Sequence, residues 1–80
     1  MHKLLSIDIT LPILGETLHL MVPRNIMGSA LLETVEELVK ESFGLMPQGN
    51  LFFQEQGDLL DYTLALEELP FRQGLKLILM

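Results

Sequence analysis

The chain ends with QGLKLILM, residues 73 to 80, and this stretch decides the fold. Five of the last six residues are aliphatic or methionine, and Lys76 is the only charged residue among them. Leu75, Leu77 and Leu79 alternate with the other three, which is the period-two pattern of a β-strand. Since chain ends are usually polar, an apolar end of this kind predicts a strand in the centre of a sheet.

The beginning of the chain has a similar alternation, so we expect a second central strand there. Its inward positions are Leu5, Ile7, Ile9 and Leu11. The turn ILGE, residues 13–16, leads to TLHLMV, residues 17–22, which alternates again and predicts a hairpin. Pro23 ends the hairpin, because proline cannot donate to a strand ladder. We expect the first and last strands to be parallel neighbours.

Between residues 25 and 44 the apolar spacing changes to that of an amphipathic helix. The predicted buried stripe contains Met27, Leu31, Val35, Leu38 and Ser42, widened by Leu32, Val39 and Phe43. Asn25 is the expected N-cap, and Gly44, followed by Leu45 and then Pro47, predicts a glycine stop at the C-terminus.

The remaining elements are short. NLFF, residues 50–53, predicts a strand, and LLDY, residues 59–62, predicts a weaker one. A helical turn within residues 63–71, ended by Pro70, and a turn at Gly74 precede the final strand. The order predicts an α+β fold in which a mixed sheet packs on one main helix. With the first and last strands parallel, this is a β-grasp, and we expect one domain over the whole chain.

The residues at several connections between these predicted elements resemble those of ubiquitin. Val22 and Pro23 end the second strand, and GLMP, residues 44–47, stands where ubiquitin has Gly-Ile-Pro-Pro. LFF, residues 51–53, corresponds to its Leu-Ile-Phe. The resemblance extends from the first strand to the last and implies a ubiquitin-like β-grasp, in which the domain works by binding proteins.

The chain also resembles the YukD/EsaB-like family, the small ubiquitin-like proteins of Gram-positive type VII secretion systems. The similarity lies in the length, in IDIT at residues 7–10, in the Val-Pro before the helix and in the apolar last strand after Gly74. It departs at Leu75, where the family usually has aspartate. The resemblance implies a cytoplasmic accessory or regulatory component of a bacterial secretion machine, with secretion components as its partners.

The C-terminus separates two classes of function. Ubiquitin and the sulfur carriers react through a flexible tail that ends in Gly-Gly, whereas this sequence stops at Met80, still in strand pattern. We therefore expect no conjugation and no thiocarboxylate chemistry. The alternative is a stand-alone ubiquitin-like modifier or sulfur-carrier-type protein whose tail is missing.

Composition restricts the function further. Eleven acidic residues against five basic ones give a net charge of −6, which argues against nucleic-acid binding. No apolar run approaches the roughly 18 residues of a membrane span, and the N-terminus lacks the features of a signal peptide. We expect a soluble, cytoplasmic protein without membrane insertion.

Candidates for chemistry are few. There is no cysteine and no phosphate-binding glycine loop, and His2, His19 and Tyr62 have no catalytic partner in the sequence. Asp58 and Asp61 could bind a cation weakly, but aspartates at turns are more often structural. We expect no enzyme, no cofactor and no metal site.

The sheet face opposite the helix is the predicted binding surface. If the leucines of the last strand face inward, alternate residues face outward, and the same holds for the short aromatic strand. The predicted surface comprises Phe52, Ile78, Lys76, Met80, Met21 and His19. Phe52 and Ile78 stand where ubiquitin has its apolar recognition patch, which implies a protein partner. The alternative is that a long loop or a second copy of the chain, in a homodimer, covers this surface.

Overall fold

The computed structural model describes residues 4–46, 48–69 and 75–80. The helix and strands are β1 (Leu4–Leu11), β2 (Glu16–Pro23), α1 (Gly28–Phe43), β3 (Leu51–Phe53) and β4 (Leu75–Leu79), with a 3₁₀ turn at Leu66–Glu68 before β4. The turn at Gly74 and the prolines at positions 47 and 70, all used in the sequence predictions, lie outside the described residues.

The four strands form one sheet in the order β2-β1-β4-β3. β1 and β4 are parallel, with Ile7 opposite Leu75 and Ile9 opposite Leu77, and the other two pairs of neighbours are antiparallel. The predicted parallel pairing of the first and last strands is confirmed, and with it the β-grasp arrangement.

The inward sides of β1 and β4 form the centre of the core. Ile7, Ile9 and Leu77 have no solvent exposure, and the other predicted inward residues of these strands are buried as well. The helix covers this side of the sheet, and no helix of the described residues covers the outward side. On β2 the predicted inward residues are less protected, since Val22 is buried and Leu18 and Leu20 are half-buried.

The helix begins later than predicted. Its N-cap is Met27 rather than Asn25, and the Met27 side chain makes no capping hydrogen bond. The N–H groups of Gly28 and Ser29 donate instead to the backbone carbonyls of Leu64 and Tyr62, at 2.9 and 3.1 Å. Backbone carbonyls from a distant loop thus satisfy donors that a side chain usually caps.

Gly28 permits this docking of the helix against the 61–64 loop. A Cβ atom at position 28 would lie 2.8 Å from the Asp61 carbonyl oxygen and 2.8 Å from the Tyr62 Cα atom. Both neighbours are backbone atoms, so neither could move aside as a flexible side chain does. The glycine therefore fixes where the helix can start.

The buried stripe of α1 is also rotated from the prediction. Leu31, Val35 and Val39 are buried, whereas Leu38 is half-buried and Ser42 is exposed. The stripe turns toward the side that has the larger apolar residues, Leu32 and Phe43, both of which pack against the core. The predicted central positions at Leu38 and Ser42 are therefore wrong.

The prediction of a strand over residues 59–62 is wrong as well. The segment makes only an isolated bridge between Leu59 and Phe52, supported by hydrogen bonds from Leu60 N–H to the Leu51 carbonyl and from Phe53 N–H to the Asp58 carbonyl, both 2.8 Å. Leu60 then turns into the core and is almost fully buried. The segment leaves the sheet to reach the helix N-terminus, so it cannot continue as a strand.

Both predicted glycine turns are present at the ends of the long elements. Gly15 in the β1–β2 turn has φ +66°, and Gly44 after the helix has φ +68°. The Gly44 N–H donates to the Lys40 carbonyl at 2.9 Å, which closes the last turn of α1. Within residues 63–71, the predicted helical turn is the 3₁₀ turn that buries Leu66.

We predict that Leu31→Ala lowers the free energy of unfolding by about 2–5 kcal/mol, because it removes a fully buried side chain and leaves a cavity. Leu38→Ala should cost clearly less, since Leu38 is only half-buried. Urea unfolding of the two variants provides the measurement. Equal losses would show that the stripe is centred between the two residues.

Gly44→Val should destabilise the domain by about 1 kcal/mol or more, because a β-branched side chain is strained at a positive φ. Gly44→Asn is the matched control, since asparagine tolerates the left-handed conformation better. Thermal melting should rank wild type above Gly44→Asn and Gly44→Asn above Gly44→Val. An unchanged melting temperature in the valine variant would contradict the left-handed stop.

Candidate functional site

The side of the sheet that faces away from α1 is called the outer face here. It contains the alternate residues of the four strands, namely Ser6, Asp8, Thr10, Thr17, His19, Met21, Phe52, Lys76 and Ile78. Five of the six predicted site residues therefore lie on this face. The sixth, Met80, follows β4 and continues its pairing, because its N–H and carbonyl both hydrogen bond to the backbone of Asn50, at 3.1 and 2.9 Å.

Phe52 and Ile78 are direct cross-strand partners between β3 and β4. Both are half-buried, and on its other side Ile78 neighbours Thr10 of β1. The sequence expectation that these two side chains lie next to each other thus agrees with the register. Met80 is 63% exposed two positions beyond Ile78, so apolar surface continues to the end of the strand.

A polar row crosses the outer face beside this apolar pair. Asp8 lies between His19 of β2 and Lys76 of β4, and His19 Nδ1 is 2.6 Å from Asp8 Oδ1. The His19 side chain is 74% exposed, so this contact adds little to stability. Its effect is to divide the face, because Met21 lies across the row from Phe52 and Ile78.

Ile13 is an exposed apolar residue that sequence reasoning missed. It lies in the turn between β1 and β2 and is 95% exposed. This turn follows Leu11, next to Thr10 and its β4 neighbour Ile78, so it lies at the same end of the sheet as Met80. The available signal was an isoleucine two residues before the turn glycine Gly15, outside both strands, where neither strand needs an apolar side chain.

Tyr62 fixes the start of β3, which sequence reasoning also did not anticipate. Its hydroxyl accepts a hydrogen bond from Leu51 N–H at 2.9 Å and donates to Asn50 Oδ1 at 3.0 Å. These bonds hold the residue immediately before Phe52. The position of Phe52 on the outer face thus depends on a side chain from a distant loop.

Asp61 has the structural role that is common for aspartates in turns. Its Oδ1 accepts hydrogen bonds from the Thr63 hydroxyl at 2.6 Å and from Thr63 N–H at 2.9 Å. These two bonds, the hydroxyl first, lower the pKa of the Asp61 carboxyl below its usual value. Across residues 4–46, 48–69 and 75–80, no three histidine or acidic side chains come together where they could hold a metal ion.

The same described residues contain no helix that is long and apolar enough to cross a membrane.

Comparison with solved structures identifies the fold. The chain superposes along its whole length, with a TM-score of 0.74 and 19% identity, on 94% of a protein in which molecular mimicry of SUMO promotes DNA repair. It covers 77% of a ubiquitin-like domain of an Arabidopsis thaliana protein, with 98% of this chain aligned, a TM-score of 0.71 and 15% identity.

A third similar structure is a computationally designed protein based on the template of human erythrocytic ubiquitin. Here the TM-score is 0.61 and the identity 31%, over 94% of this chain and 87% of the other. No family model and no curated protein matches the sequence.

The parallel β1–β4 pair, the covering helix α1 and these similarities define a ubiquitin-like β-grasp fold.

We predict that Tyr62→Phe lowers the free energy of unfolding by about 1 kcal/mol, because Leu51 N–H loses its acceptor in a partly buried position. Asn50→Ala is the control, since it removes only the second, exposed partner of the hydroxyl. Urea unfolding should show a smaller loss for Asn50→Ala. If Tyr62→Phe is neutral, water replaces the hydroxyl and Tyr62 does not fix β3.

Proposed function

We propose that this chain is a non-catalytic ubiquitin-like module that binds another protein through the outer face, centred on Phe52 and Ile78. The observation that carries the proposal is the direct pairing of these two apolar side chains on a face that is not covered by any helix of the described part of the chain. Met80 and Ile13, which are largely exposed, lie at the same end of the sheet. Contiguous apolar surface of this kind on a small domain is typical of a binding site.

The chemistry of the surface supports a protein partner. An aromatic ring can fill a pocket in a partner, and methionine adapts to surfaces of different shape. The polar row of His19, Asp8 and Lys76 borders the apolar pair on one side only. Polar groups at the rim of an apolar contact mainly orient a partner, so this border favours one docking direction.

The arrangement of the polar side chains supports a non-catalytic role. His19 contacts the carboxylate of Asp8 on an open surface, with no hydroxyl nucleophile hydrogen-bonded to it among the described residues. A catalytic base needs such a reacting partner within hydrogen-bond reach.

The more specific proposal is a cytoplasmic accessory or regulatory component of a bacterial type VII secretion system. It rests on the resemblance to YukD/EsaB-like proteins at residues 7–10, at Val22 and Pro23 and in the apolar last strand. Co-purification with an FtsK-like ATPase, or a gene neighbourhood that encodes one beside small helical secreted substrates, would support this role. A neighbourhood without such genes would contradict it.

Affinity capture from the native cytoplasm tests the binding face. We predict that Phe52→Asp and Ile78→Asp lose the captured partner, because each places a charge in the apolar contact. Met80→Asp should weaken capture without risk to the fold, since Met80 is 63% exposed. Each protein is first shown to be folded by circular dichroism and thermal melting.

Met21→Asp is the matched control, because Met21 is 62% exposed on the same face but lies across the polar row. Retained binding in this variant, with loss in Met80→Asp, would locate the contact at the Phe52–Ile78 end. Equal loss in both would extend the contact across the whole face. Full binding by folded Phe52→Asp and Ile78→Asp proteins would refute the site.

A further inference from the structure

The two edges of the sheet differ in how far their backbone groups are covered. At the β3 edge, hydrogen bonds with Asp58 and Leu60 occupy the outward backbone groups of Phe53 and Leu51. β2 forms the other edge and is eight residues long. Among the described residues, the only backbone hydrogen bond of β2 outside its pairing with β1 runs from Ile26 N–H to the carbonyl of Pro23, the last residue of the strand. An edge strand of this kind presents unpaired donors and acceptors to another chain.

β2 lacks the features that usually block edge pairing. It pairs with β1 in unbroken register over all eight residues, without a bulge. It contains no lysine or arginine, and its only proline, Pro23, is the last residue. The one charged residue is Glu16, at the start. Charges and prolines in the middle of an edge strand are the common means of preventing association, and neither is present here.

Apolar surface accompanies this open edge. Leu18 and Leu20 point toward the helix side of the sheet but are only half-buried, in contrast to the residues of β1 opposite them, which are fully buried. A strand added beside β2 would cover these two leucines. Strand pairing at this edge would therefore combine backbone hydrogen bonds with burial of apolar surface.

We propose that a second copy of this chain pairs with β2 in antiparallel orientation, which joins the two sheets into one. The two β2 strands are centred on His19. Leu18 of each copy therefore lies opposite Leu20 of the other copy. Each half-buried leucine then meets an equivalent leucine. The outer-face residues of both copies stay on one side of the joined sheet, because opposite residues in antiparallel strands point to the same side.

Charge favours a second copy as the occupant. Glu16 begins β2 and Arg24 follows it, and both are exposed. Antiparallel pairing centred on His19 puts Glu16 of one copy opposite Val22 of the other, two positions from Arg24. Long side chains can span this diagonal distance, and the same contact occurs at both ends of the pair. The strand is thus electrostatically complementary to itself when reversed, and no like charges are placed opposite each other.

The topology also limits the assembly to two copies. Pairing β2 with β2 is a symmetric contact that uses the same surface of both chains. The opposite edge is short and already occupied by hydrogen bonds with residues 58–60, so a third copy finds no equivalent strand. The face around Phe52 and Ile78 lies on the strands farthest from β2 and stays open in the dimer. Dimerisation and partner binding can therefore be tested separately.

Sedimentation equilibrium over a wide range of protein concentrations gives the first test. We expect a reversible shift from the mass of one chain to twice that mass, and no larger species. Glu16→Arg and Arg24→Glu should each shift the equilibrium toward monomer, and the double variant should restore the dimer. A mass of one chain at every concentration would overturn the proposal, and so would open-ended growth.

Disulfide trapping gives the second test, since the protein has no cysteine of its own. In the proposed pair the two His19 residues face each other, so oxidised His19→Cys should form a disulfide-linked dimer readily. Lys76→Cys is the matched control, because position 76 borders Asp8 from the β4 side, inside the sheet. Equal cross-linking of both variants, or a dimer in sedimentation that His19→Cys does not trap, would refute the β2 pairing.

Discussion

The parallel pairing of β1 with β4 is the contact on which the rest of the structure depends. Ile7, Ile9 and Leu77 are excluded from solvent there, and burying each such side chain contributes about 1.5–3 kcal/mol. Parallel strands cannot be joined by a tight turn, so the chain between them must form a crossover. That crossover includes β2, α1 and β3, and each of these packs on the central pair or extends it.

The same pair determines which residues are available for binding. Because side chains alternate along a strand, the register that buries Leu75, Leu77 and Leu79 also sends Lys76 and Ile78 outward. A shift of one residue would expose the leucines and bury the lysine, at a large cost in free energy. The core and the outer face are therefore two consequences of one register.

Sequence patterns predicted the features that depend on local periodicity. They failed for features whose position is set by backbone contacts with distant segments. The strand order and the Phe52–Ile78 contact follow from alternation combined with the central place of the last strand. The helix start does not, because carbonyls of Tyr62 and Leu64 replace the expected cap at Asn25. The role of the Tyr62 hydroxyl and the exposure of Ile13 likewise arise only once the loops are placed.

The Phe52–Ile78 contact and the open edge of β2 lie toward opposite edges of one sheet, which the parallel β1–β4 pair holds together. A signal could pass between them only by changing the register or the twist of that pair, and the buried side chains of the central strands oppose both changes. The two proposed surfaces should therefore act independently. In a dimer each copy would offer its own Phe52–Ile78 contact, so a partner with two matching sites would bind more tightly through avidity, without any coupling inside the domain.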